Sequence, residues 1–229
     1  MQLTLDAHVR NDSRILDVYR EARRRYAQVN LLHHNFAHVM RDLHRALVIA
    51  TDEEAVDYGI LIPSVLLHDI GFCSPDLKKL GHDVAGALLA AEILANLNYQ
   101  NEAILAISHC IRAHKGKAEL PQTPEAKILN DADVLEKAGI IFLIFGGKII
   151  CEFGETLDFF LERELVDRAK ELKRGFYTRK ARELDGGRLE KVLSLFGQIK
   201  KELTEDRPDY AVSEQDLWLQ AVPADTSDR

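Results

Sequence analysis

From residue 12 to residue 203 the apolar residues of this chain return every third or fourth position, the spacing that lines one face of an α-helix. No stretch alternates apolar with polar residues and then meets a hairpin turn. The pattern therefore predicts an all-α protein, a single-domain helical bundle. Residues 12–29 carry Ile15, Val18, Tyr19, Ala22 and Tyr26 on one stripe, with Arg23, Arg24 and Arg25 on a solvated face. Residues 35–50 turn Phe36, Val39, Met40, Leu43, Leu47 and Val48 inward.

Thr51-Asp52-Glu53-Glu54 reads as a capping box opening a third helix toward His68, with Pro63 marking a kink or restart. Gly71 and Ser74-Pro75 end that element. Further helices are expected at 81–97, 102–114, 125–135, 156–173, 178–184 and 187–203. Residues 140–150 fit a buried helix better than a strand. Residues 1–30 are expected to pack on a main domain at 31–205, followed by a tail at 206–229. Leu217-Trp218-Leu219 is expected to dock, and residues 224–229 to fray.

Composition removes several function classes. The 30 Lys and Arg against 37 Asp and Glu leave a net charge of -7, which disfavours non-specific nucleic-acid binding and membrane-surface binding. A local cationic site for a small phosphorylated ligand stays open. The longest apolar runs, 59–67 and 139–147, are too short to span a bilayer, so no membrane association is expected. No apolar signal segment opens the chain, and three cysteines (Cys73, Cys110, Cys151) match no zinc motif. A reducing, cytoplasmic location is the expectation.

Histidine and aspartate recur in apolar settings. His68-Asp69 follows a five-residue apolar run and precedes Gly71, where an ionised carboxylate needs a cation, an ion pair or hydrogen bonds. Alone, the pair also fits a turn cap beside an ordinary core histidine. Imidazole and carboxylate together suit borderline or hard divalent metals. His38 lies one helical turn after His34, beside Val39 and Met40. Asp133 lies between Ala132 and Val134, while Asp131 points to another face as a cap or support. At about 100° per residue, His114 falls on the stripe of Ile107 and Ile111, and His109 falls on the opposite side. His82 opens an Ala-rich helix in which Gly86 permits close approach.

His38, then His68-Asp69, then Asp133, reproduces the H…HD…D signature, and the pattern resembles the HD superfamily of metal-dependent phosphohydrolases. His38-Val39-Met40-Arg41 is similar to its H-x-x-R segment, Leu66 to Gly71 to its LLHDIG core, and Pro121 to Asp133 to its last-ligand segment. Residues 176–202 resemble the C-terminal helices of bacterial members, so the likeness runs from Asn35 to Glu202. Many members carry Lys after the HDIG glycine, where this chain has Phe72, and the GYP motif of cyclic-dinucleotide phosphodiesterases is missing.

The resemblance implies an all-α bundle with a metal in its core, held by His38, His68, Asp69 and Asp133. His82, with His114 or His109, corresponds to the extra histidines of binuclear members, as second-metal or phosphate ligands. The implied cofactor is one or two divalent ions (Mn, Fe, Co, Ni or Mg). The implied reaction is hydrolysis of a phosphomonoester or phosphodiester of a nucleotide or small phosphorylated metabolite, with Asp69 as a proton acceptor. Arg41, Arg112, Lys115, Lys117 and Lys148 are the nearest candidates for substrate phosphate. Two other readings remain open: a di-iron oxygenase of the same fold, and a binding or signalling module with a vestigial site. Self-association into a homo-oligomer is compatible with every one of these readings.

Overall fold

A computed structural model describes residues 5–205, and every regular element among them is helical. The first two helices are α1 (Leu5–Asn11) and α2 (Arg14–Tyr26). The helix expected over 12–29 is α2, and α1 precedes it, the two parted at Asp12, which turns back to take the Arg14 guanidinium at 2.9 and 2.7 Å. Ile15, Val18, Ala22 and Tyr26 of α2 are buried, and Arg24 and Arg25 pair with Glu21 at the surface.

Helix α3 (Phe36–Ala50) starts at Asn35, whose side chain accepts from the backbone N–H groups of Ala37 and His38. The expected capping box at Thr51 does not form. The Thr51 hydroxyl instead donates back to the Val48 carbonyl, closing α3, and Ala55 takes a left-handed φ of 57°. The next helix, α4 (Tyr58–Leu67), is capped by Asp57, which accepts from Gly59 N–H at 2.8 Å. No restart occurs at Pro63. Residues 61–67 are wholly buried between α2, α3 and later helices, and that packing outweighs one missing backbone bond.

His68 caps the end of α4, and a 3-10 turn (Ile70–Cys73) follows. It lies against α6 (His82–Asn96), entered through the short α5 (Leu77–Leu80). The fit needs glycine on both sides. A Cβ at Gly71 would sit 1.9 Å from the His82 carbonyl oxygen, and one at Gly86 would sit 3.1 Å from Gly71 N. Helix α7 (Asn101–Ala113) packs along α6 and ends at His114.

Helix α8 (Pro124–Ala138) is the central rod. Thr123 caps it, Pro124 occupies its first turn, and all of residues 125–138 except Lys127 are buried. Asp131 accepts from Tyr177 N–H, Thr178 N–H and the Thr178 hydroxyl at 2.7–3.0 Å, which clasps α11 (Arg179–Asp185) to α8. Residues 140–150 are helical, within α9 (Ile141–Phe153). With α10 (Leu157–Arg174) and α12 (Arg188–Glu205) it builds a second apolar cluster around Phe142, Phe160 and Phe196. The first cluster draws on α1 to α4, α6 to α8, α11 and the start of α12. Leu217-Trp218-Leu219 and residues 224–229 lie outside the described residues.

Gly71→Ala should destabilise the protein by about 3 kcal/mol, a fall in Tm of roughly 6–12 °C, because the clash is with backbone that cannot rotate away. Gly197→Ala, where nothing lies within 4 Å, should hold or raise Tm. Thermal denaturation of both variants checks the contrast.

Candidate metal centre

Three buried helices supply the site. Helix α3 presents His38 and, one turn on, Asp42; the end of α4 presents His68 and Asp69; α8 presents Asp133. All five are at most 3% exposed. His38 Nε2 stands 3.3 Å from His68 Nε2, 3.3 Å from Asp42 Oδ2, 3.3 Å from Asp69 Oδ2 and 3.9 Å from Asp133 Oδ1. His68 Nε2 is 3.4 Å from Asp69 Oδ2 and 3.7 Å from Asp42 Oδ2. Donor atoms of His38, Asp42, His68 and Asp133 all lie within 4.8 Å of one another. The structure thus brings the four sequence candidates together and adds Asp42. Asp42 shares the inward face of α3 with His38 at i, i+4, a relation the H…HD…D pattern does not contain.

A second group adjoins the first. His114 Nε2 and His82 Nε2 face Asp69 Oδ1 at 3.5 and 3.8 Å. Asp69 therefore turns one oxygen to each group. His109 is not part of either. Its Nδ1 meets Glu119 at 2.7 Å and its Nε2 accepts from Gln122 N–H, as its position opposite the apolar stripe dictates.

The hydrogen bonds behind the rings fix what they offer. His68 Nδ1 donates to the Val65 carbonyl at 2.8 Å and His114 Nδ1 to the Ile111 carbonyl at 2.6 Å. His38 Nδ1 faces Glu136 Oε1 at 3.4 Å. Oxygen acceptors at Nδ1 keep a proton there, so the nitrogen each ring can offer to a cation is Nε2, and all three Nε2 atoms are aimed inward. Those Nε2 atoms meet each other and carboxylate oxygens, an arrangement that is repulsive unless a proton or a metal cation lies between them. Asp42 Oδ2, Asp69 Oδ1, His82 Nε2 and His114 Nε2 have no hydrogen-bond partner among the described residues. The donor set fits a divalent cation, with the Nδ1 bonds orienting its imidazoles.

Electrostatics carry the same demand. Burial opposes charge on His38, but Asp42, Asp69 and Glu136 outweigh it and raise its pKa to about 10. Burial pushes Asp42 up to about 6 against the pull of His38. Asp69 and Asp133 resist burial and stay well below the usual carboxylate range, Asp69 through His68 and Asp133 through Lys137 and Lys115.

A cavity of about 330 Å³ opens beside the cluster, lined by His82, His114 and Asp133. His34, Phe72 and Phe153 form an aromatic side, and Phe72 stacks on His82 at 4.7 Å with 6° between the rings. Lys115 and Lys137 line the cavity, and Lys117 does so while paired with Asp167 at 2.9 Å. The other expected phosphate contacts are elsewhere. Arg41 is taken by Glu136 at 2.7 Å, Arg112 by Glu119 at 2.9 Å, and Lys148 lies exposed over the Phe145 ring. Lys137, absent from the sequence candidates, is buried and holds Asp133 Oδ2 at 2.5 Å. Glu152 was missed as well. It accepts from the N–H groups of His33 and His34 and from the His34 ring, tying α9 to the approach to α3.

Comparison with known proteins agrees with this geometry. Residues 35–138 match the family model described as HD domain. A predicted HD superfamily hydrolase from an uncultured Thermotogales bacterium is similar in structure, with 25% identity and a TM-score of 0.52, over 86% of this chain and 93% of that one. The Lin1889 protein from Listeria innocua shares the fold at 17% identity and a TM-score of 0.57, over 84% and 97% of the two chains. No curated protein matches the chain. The buried histidine and aspartate cluster on α3, α4 and α8 thus lies within residues 35–138, the segment that matches the HD domain.

Proposed function

We propose that this protein is a metal-dependent phosphohydrolase that cleaves a phosphomonoester or phosphodiester of a nucleotide or small phosphorylated metabolite. One observation carries the reading: inward Nε2 atoms of His38, His68 and His114 meet buried carboxylates at the edge of a cavity that also holds Lys115 and Lys137. His38, His68, Asp69 and Asp133 are the ligands of the first ion, with Asp42 beside them. Asp69, His82 and His114 are placed for a second ion or for the substrate phosphate.

A bound divalent ion supplies Lewis acidity, polarising a phosphoryl oxygen and lowering the pKa of a coordinated water. The chain's own groups do the rest. Lys115 and Lys137 hold the anionic substrate and offset charge that builds on the phosphoryl oxygens. Asp69 Oδ1 is the proton acceptor for the attacking water, and His114 Nε2, 3.5 Å away, is placed to take that proton onward. Phe72 and Phe153 offer flat apolar surface to a nucleobase, which favours a nucleotide over a sugar phosphate. The neighbouring HD superfamily hydrolase favours hydrolysis over oxygen chemistry.

A panel of phosphomonoesters and phosphodiesters, assayed with Mn, Co, Ni and Mg, tests the reading. Hydrolysis of at least one substrate is expected, with no oxygen consumption. His68→Ala should lose metal and hydrolysis together. A variant that retained stoichiometric metal and full activity would remove His68 from the centre.

Metal should also stabilise the fold and compete with protons. At a hundredfold excess over Kd an ion adds about 2.7 kcal/mol, seen as a rise in Tm that chelator reverses. Because His38 holds its proton to about pH 10, binding of the first ion near neutrality displaces it. The apparent affinity should then weaken about tenfold for each pH unit of acidification, as calorimetry at several pH values will show.

His114→Ala separates the two roles of the second group. As a second-metal ligand, its loss should lower the metal content from two ions per chain to one. As a phosphate donor, its loss should leave the metal in place and raise KM. No change in metal content or kinetics would make His114 an ordinary core histidine.

A further inference from the structure

A second cavity of about 250 Å³ adjoins the first, between the turn after α7 and helix α10. The two share Lys115, Lys117, Asp167 and Glu171 in their walls. Lys170 and Arg174, one turn apart on α10, line only the second. We propose that this second cavity is an anion subsite, and that the substrate carries two phosphoryl groups, one over the metal cluster and one held by Lys115, Lys170 and Arg174. The inference rests on the phosphohydrolase reading of the first cavity.

The charges in its wall do not cancel. Asp167 is taken by Lys117 at 2.9 Å, and Glu171 by Arg168 at 2.8 Å. Among the described residues neither Lys115 nor Lys170 makes an ion pair within 4 Å. Arg174 donates Nε–H to the Gly175 carbonyl and lies 4.6 Å over the Tyr177 ring, so its terminal nitrogens remain available. Three cations thus stand without an ion pair within 4 Å among the described residues, in one hollow of a chain whose net charge is -7. No apolar side chain lines the hollow, so a nucleobase or acyl chain finds no surface there. Lys115, half-buried and common to both cavities, lets one ligand reach from the cluster into the second hollow.

Alkanediol bisphosphates of increasing chain length, each compared with its alkyl monophosphate, test this by calorimetry on the manganese-loaded protein. A bisphosphate of matching length should bind about tenfold more tightly than its monophosphate, because the second contact is intramolecular. The double variant Lys170→Ala/Arg174→Ala should lose that gain and bind the monophosphate as before. Both side chains are exposed, so the fold should persist, with Tm as the control. If no bisphosphate gains over its monophosphate, or the variant keeps the gain, the subsite is overturned while the hydrolase reading stands. If monophosphates and bisphosphates alike fail to bind and the ester panel is silent, the hydrolase reading fails and the subsite falls with it.

Discussion

Four carboxylates converge where the helices bury them, and the architecture around them follows from that repulsion. Asp42, Asp69, Asp133 and Glu136 are each at most 3% exposed, and unpaired charge at such depth is not tolerated. Three of the four are neutralised from behind. Arg45 donates to Asp42 at 2.8 Å and also reaches Glu136, Arg41 donates to Glu136, and Lys137 holds Asp133. Asp69 has no arginine or lysine within ion-pair distance among the described residues. It faces the Nε2 atoms of His38, His68, His82 and His114 instead. Asp69 is therefore the carboxylate for which a cation matters most, and it bridges both groups of ligand atoms.

This constraint explains helices that otherwise look expensive. Helix α8 buries Asn130, Asp131, Asp133, Glu136 and Lys137 along one rod. Each is compensated by a named partner: Asp131 by the backbone before α11, Asn130 by the His114 carbonyl, Asp133 by Lys137, and Glu136 by two arginines. Helix α4 offers the opposite solution, an apolar segment from Leu61 to Leu67 broken only by Pro63 and Ser64. It delivers His68 and Asp69 at its end, where the backbone is free to turn. The contact of Gly71 with Gly86 then draws α6, and with it His82, against that turn.

The residues of the centre drew attention in the sequence because they sit beside apolar runs, but only the resemblance to the H…HD…D signature joined them into one ligand set. Helical phase likewise separated His114 from His109, since one stripe of α7 faces the core and the other faces Glu119. What stayed hidden depended on partners far apart in the chain. Arg41 and Arg112 carry the right charge for phosphate, but Glu136 and Glu119 take them, and sequence proximity to a motif does not reveal such pairings. Asp42 and Lys137 lay within reach of the same phase reasoning, each one turn from a ligand candidate. The capping box at Thr51 failed for a local reason: a threonine hydroxyl can bond backward to close one helix as readily as forward to open another.

The cavity also divides the labour of the chain. Every proposed ligand lies within residues 35–138, the segment that matches the HD domain. The far wall comes from α9 and α10, in the second apolar cluster: Phe142, Ile149 and Phe153 on one side, Arg163, Arg168 and Glu171 on the other. Glu152 fastens α9 to His33 and His34, and Lys117 fastens the turn after α7 to Asp167 of α10. The ligand cluster is thus held by the segment that matches the HD domain, while the far wall of the cavity stands on helices outside it. Where many HD proteins carry lysine, Phe72 stacks on His82, and the cations of this cavity come from α8, α10 and the turn after α7. Positive charge thus stands on two sides of this cavity, at Lys115 and Lys137 beside the ligand cluster and at Arg163 and Arg168 on the wall facing it.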